Sequence, residues 1–87
     1  MTQFNVYTGD GNFGTSLDHT IEADLFDDAV AEYMDGVDPK HRDLFYREDE
    51  EHVTYLTVLD GPNGERAGNG AAYFICEIRA AGEDPRG

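Results

Sequence analysis

Only one stretch of this chain repeats its apolar residues at helical spacing. Leu25, Phe26, Ala29, Val30, Tyr33 and Met34 fall on a single stripe, the pattern of a helix that buries one face. Asp24 stands before it as the expected N-cap. Asp27 and Asp28 occupy the first turn, where the helix dipole favours anions. Gly36 is placed to close the helix in a left-handed conformation, and Pro39 opposes its continuation.

Elsewhere the apolar residues alternate with polar ones. Phe4 and Val6 alternate with Asn5 and Tyr7. Leu17, His19, Ile21 and Ala23 alternate with Asp18, Thr20, Glu22 and Asp24. Residues 44–47 read as a short strand, 53–59 as a β-branched one, and 71–80 as a last strand with Phe74, Cys76 and Ile78 on one face. A period of two marks strands. The expectation is a single small α+β domain over residues 1–81, of order ββαβββ. Its sheet is mostly antiparallel with the one helix packed on one face. Residues 82–87 are expected to fray. One helix covers one face of a sheet, so the other should carry Tyr7, Tyr55 and Tyr73, with Ile75. That face is either half-exposed and amphipathic or a dimer or secondary partner contact, since tyrosine is enriched at interfaces.

Between the first two strands lies GDGNFG, residues 9–14. Its glycines match the G-x-G-x-x-G of dinucleotide-binding loops. That loop works because its last glycine opens a helix whose N-terminus holds the pyrophosphate. Here a strand follows. A kinase-type glycine loop does lie between strands, but it needs a lysine on a later strand and a metal-binding aspartate. The only lysine, Lys40, falls in a loop. The expected role is a turn displaying Asp10, Asn12 and Phe13.

Other chemistries find equally little. An EF-hand register from Asp10 puts Gly14 and Ile21 at ligand positions. His19, His41, His52 and Cys76 are scattered, without metal-ligand spacing. Cys76, the one cysteine, lies in an apolar strand with no histidine near it in sequence, so an activated thiol is not expected. In 87 residues a deep substrate cleft would consume much of the core. The expectation is no enzyme, no cofactor and no metal. No apolar run is long enough to cross a membrane and no signal peptide is evident, so a cytoplasmic location is expected.

The charge is the remaining signal. Nineteen acids face six bases, a net −13, and residues 18–51 hold thirteen of the acids against Lys40, Arg42 and Arg47. Such a charge opposes contact with nucleic acid or anionic membranes and attracts basic surfaces. On the helix, Asp24, Asp28, Glu32 and Asp35 recur at spacings of 4, 4 and 3, where like charges repel. Three explanations stand: an ordinary acidic domain, adaptation to high salt, or an acidic face that imitates the phosphates of a nucleic acid. The candidate contact acids are Asp18, Glu22, Asp24, Asp27, Asp28, Glu32 and Asp35, with Glu48, Asp49, Glu50 and Glu51. Tyr33 is expected in the core.

In length, in charge and in its plan of strands around one short helix, the chain resembles the small acidic anti-CRISPR proteins encoded by phages and prophages. The stretch TIEADLFDDAVAEYMDG followed by LFYRE carries the likeness. It is a likeness of type: that family shares no catalytic motif, so no residue role transfers by position. It implies a stoichiometric inhibitor, monomeric or homodimeric, acting in the host cytoplasm on a CRISPR surveillance complex by occupying its DNA-reading surface. The alternatives are an acidic housekeeping domain of a salt-adapted organism and a small homodimeric interaction module.

Overall fold

A computed structural model describes residues 1–65 and 72–86. Two long strands open the chain, β1 (Thr2–Asp10) and β2 (Gly14–Ala23). Helix α1 (Phe26–Asp35) and a single-turn helix α2 (Pro39–Arg42) follow. Strands β3 (Tyr46–Asp49), β4 (Val53–Val58) and β5 (Phe74–Ala80) complete a five-stranded sheet of order β2-β1-β5-β4-β3. Every neighbouring pair is antiparallel. The domain is α+β with its helix on one face, as expected; α2 is the added element.

Register explains the core. Phe4 lies opposite Ile21 and Ala80, Val6 opposite Ile78, and Leu56 opposite Cys76. Directly opposed residues share a face, so these side chains form one apolar layer. Ala29 and Val30 of α1 close over it. Phe26 meets Phe4 edge-on with ring centres 4.8 Å apart. Tyr33, Phe45 and Phe74 form a chain of edge-to-face contacts at 6.4 and 5.8 Å.

Several boundaries differ from the sequence reading. Leu25, not Asp24, is the N-cap, and it makes no side-chain capping bond. The Asp24 carboxylate is therefore left on the surface. Gly36 is right-handed, with φ −84°. The amides of Gly36 and Val37 donate to the carbonyls of Tyr33 and Met34 at the helix end, and Arg42 donates to the carbonyls of Asp35 at 3.3 Å and Val37 at 3.0 Å. Strand β3 begins at Tyr46 rather than Leu44. Leu44 and Phe45 still donate backward to His41 and Arg42, and their side chains fill space beside the core. Glu48 and Asp49 consequently belong to β3 and not to a connection. Strand β5 starts at Phe74, with Ala72 and Tyr73 outside it, while Ala71, expected to open it, and part of the expected 60–70 loop lie outside the described residues.

The open face of the sheet is not the exposed tyrosine surface expected. Tyr7 is only 5 % exposed. The tail covers it: residues 81–83 form a 3-10 turn, and the chain folds back over β1 and β5. The Tyr7 hydroxyl donates to Asp84, as does the Asn5 amide at 2.9 Å. Arg86 lies 4.0 Å above the Tyr7 ring and pairs with Glu77. Tyr55 is half-buried, its hydroxyl accepting from Arg79 at 3.4 Å. Tyr73 precedes β5 and borders a cleft on the helix side. The three tyrosines thus do not form one patch, and Asp84 and Arg86, within the tail expected to fray, contact Asn5, Tyr7 and Glu77.

Desolvation pushes the Asp84 carboxyl up, but hydrogen bonds from Tyr7, Asn5 and the Arg86 amide outweigh it and hold the group at about 2. A carboxyl lowered in the folded state adds stability above its ordinary value, and that stability is lost as pH falls through the folded value. Asp84→Ala should therefore be less stable than wild type at pH 6 in urea unfolding, and the gap should narrow between pH 4 and pH 2. A gap that stays constant down to pH 2 would contradict the bonding described.

Candidate partner-binding face

The eleven candidate acids separate into three environments. The first is a groove between the C-terminal end of β2 and the outer side of α1. Glu22, Asp24, Asp28, Glu32 and Asp35 all border it, and it is a shallow, largely open depression of about 420 Å3. The helix delivers its acids there because Asp28, Glu32 and Asp35 recur three and four residues apart, opposite the buried Ala29 and Val30 stripe. None of these five carboxylates has a cationic partner among the described residues. Asp18 borders an adjoining groove with Glu32 and Tyr33. A bulge puts it there: Val6 pairs with His19 but Tyr7 with Leu17, leaving Asp18 as the extra residue. Its carboxylate meets His19 Nδ1 at 2.6 Å.

The second environment is neutralised. Arg47 bonds Asp27 at 2.6 Å and Asp49 at 2.9 Å, tying the start of α1 to β3. Asp49 also accepts from Thr54 at 2.8 Å. These bonds, that of Arg47 first, hold the Asp49 carboxyl below its usual range. Asp27 and Asp49 thus share Arg47 in a surface ion pair, unlike the other candidate contact acids.

The third is the β3–β4 turn. Glu48 accepts from the Tyr46 hydroxyl, which raises the phenol. Glu51 and Glu83 stand 3.7 and 3.9 Å from His52, and Glu50 is exposed. This turn extends from β3, the opposite edge strand from β2. The acids therefore form two separate surfaces with Arg47 between them, not one continuous row. The groove beside α1 is the denser and the less compensated.

The carboxylates are spread along a surface rather than gathered at a point. Among the described residues, no three His, Cys, Asp or Glu side chains come together as a metal site. The same residues contain no helix long and apolar enough to cross a membrane.

The glycine loop is already occupied by its own side chain. Asp10 Oδ1 accepts from the amides of Asn12 at 2.8 Å and Phe13 at 2.9 Å, and the Gly11 amide donates to the Ala72 carbonyl. A phosphate cradle needs such amides free and no carboxylate among them. Phe13 projects from the tip, 89 % exposed.

Cys76 is fully buried. Desolvation pushes its thiol up to about 12, against a lowering hydrogen bond with Tyr33. The thiolate is the nucleophile, so folded protein at pH 8 should resist iodoacetamide, whereas protein in 6 M guanidinium should react at once. Rapid labelling of the folded form would show that the strand opens.

Sequence reading missed an apolar cleft of about 240 Å3 at the other end of the helix side, where Val37, Leu44, Pro62 and Tyr73 meet the Tyr33–Phe45–Phe74 chain. Its residues come from several distant segments, so no local pattern announces it.

Fold and face together define a small α+β domain carrying a dense acidic flank beside α1 and a second acidic surface at the β3–β4 turn. Compared with protein families, with curated proteins and with solved structures, the chain matches none of them.

Proposed function

We propose that this chain is a non-enzymatic binding protein whose α1–β2 flank docks on a basic, nucleic-acid-handling surface and competes there with nucleic acid. One observation carries the reading: Glu22, Asp24, Asp28, Glu32 and Asp35 border a single groove, and none of the five forms an ion pair among the described residues. Folding alone favours a lysine in such a set, because like charges at helical spacing cost a few tenths of a kcal/mol per pair. Carboxylates about 5–6 Å apart on a helix, and about 6.6 Å apart on alternate strand residues, suit a Lys/Arg row built to follow phosphates.

The distribution of charge favours this over a generally salt-adapted surface. On the open face, Glu77 is matched by Arg79 and Arg86, and at the start of α1 Asp27 is matched by Arg47. The five groove acids are the largest group without an ion pair, and Glu48 and Glu50 at the β3–β4 turn form a smaller one. The resemblance to anti-CRISPR proteins makes a CRISPR surveillance complex the first target to try, with the chain as its stoichiometric inhibitor.

The experiment is capture from host lysate at low salt, with the bound proteins identified. The reading expects basic nucleic-acid-binding proteins, released by 0.5 M salt because exposed charges are screened within about 8–10 Å. Capture that survives 0.5 M salt unchanged would sink it. So would a fold that melts at low salt and recovers only in 2 M KCl, the mark of a salt-adapted domain.

A further inference from the structure

The two edges of the sheet are unequal. Strand β3 is four residues long and highly charged, a form that discourages further pairing. Strand β2 is ten residues long, GTSLDHTIEA, with neither lysine nor proline. At about 3.3 Å per residue it runs roughly 33 Å. It pairs with β1 on one side only, so on either side of the bulge at Asp18 every second residue turns an amide and a carbonyl outward. Helix α1 lies over the face of the sheet and leaves this edge uncovered. Residues 16–20 are all exposed, Leu17 by 57 %.

The charge along this edge selects what can pair with it. A second copy joined through β2 would bring Asp18 and Glu22 against the same residues of its twin, and like charges directly across strands are unfavourable. A basic strand reverses the sign of that interaction. Side chains on one side of an added strand would lie over the groove bordered by Asp28, Glu32 and Asp35. Those on the other side would lie beside Leu17, Thr20 and Glu22, which alternate to the open face shared with Tyr7, Asn5 and Gln3.

We propose that β2 is a docking edge that takes an extended, Lys/Arg-bearing segment of the partner as a sixth strand, its main chain bonded to β2 and its alternate basic side chains directed to the α1 groove. This rests on the reading of the partner as basic, and it adds the form in which the basic residues are presented. Backbone pairing supplies affinity in such additions while alternate side chains supply specificity.

The test uses two ten-residue peptides of equal charge, one alternating Lys and Thr, the other alternating Lys and Pro. Proline keeps the charges but removes every second amide donor and disfavours strand pairing. The Lys–Thr peptide should bind at least about tenfold more tightly and slow exchange of the outward β2 amides at least about tenfold. Equal affinities, or unchanged β2 exchange with the Lys–Thr peptide bound, would overturn the added strand. Failure of both peptides to bind would also overturn it, while salt-sensitive capture of a folded basic protein would leave the broader reading standing. Dimers in sedimentation with the same β2 amides protected and no peptide present would assign the edge to a second copy instead.

Discussion

Replacing Gly9 with alanine should distort the closing end of the β1–β2 hairpin and remove a large part of the protein's stability. A β-carbon built on Gly9 overlaps the carbonyl oxygen of Gly14, and stands 2.8 Å from its carbonyl carbon and 3.0 Å from Thr15 Cα. All three atoms are backbone, so no side chain can swing aside. Relief requires parting two strands paired over their whole length. A clash of that kind belongs with the most damaging single substitutions, about 3 kcal/mol or more. The total stability of a chain this size is roughly 4–13 kcal/mol. Gly14 offers the contrast. Its φ is +73°, but nothing lies within 4 Å of an added β-carbon. Gly14→Asn, whose side chain tolerates a left-handed backbone, should cost only about 1 kcal/mol. Urea unfolding of both variants decides the matter. A Gly9→Ala protein as stable as wild type would mean that the hairpin is not closed as described.

The second large effect concerns binding. Reversing Asp28 and Glu32 together to lysine should weaken binding to the captured partner about 100-fold, or about 2.7 kcal/mol. Both carboxylates border the α1 groove, and each reversal replaces an attraction to a basic surface with a repulsion. The fold should barely respond. A lysine at 28 gains Asp24 as a neighbour and a lysine at 32 gains Asp35. These pairs offset the new lysine pair and the lost acid in the first turn, each a few tenths of a kcal/mol. The stability change should stay within about 0.5 kcal/mol. Reversing Asp27 and Asp49 instead should do the opposite. It breaks the Arg47 pair and lowers stability, with little loss of binding beyond it. Normal binding by the Asp28/Glu32 variant would move the contact face elsewhere.

What could be read from the sequence was local. The α1 stripe and the Phe74–Cys76–Ile78 alternation each repeat within a few residues, and both are where the pattern puts them, except that Leu25, the first member of the stripe, precedes the helix and is exposed. The turn role of GDGNFG followed from the strand after it. What could not be read depended on distant partners. Tyr7 looked like an exposed face residue because Asp84, which receives its hydroxyl, lies 77 residues away. Asp27 looked like any other acid in its run, and only the fold brings Arg47 to it from twenty residues further on. Leu44 and Phe45 read as strand because they are apolar and adjacent to Tyr46. Their backbone is still turning after α2, and their side chains are drawn to the core rather than to a ladder. The sheet order, with β1 held between β2 and β5, is likewise a long-range result. It is what leaves β2 on an edge beside the acidic groove.

The central claim is that the α1–β2 flank takes the place of nucleic acid on a basic surface. Competition tests it most directly: binding of a labelled duplex DNA to the captured partner, measured at 0.1 M salt with rising amounts of this protein. The account predicts that DNA is displaced fully and at one-to-one stoichiometry, and that the Asp28/Glu32 reversal variant needs about 100-fold more protein to do so. DNA that stays bound while this protein also binds would contradict it.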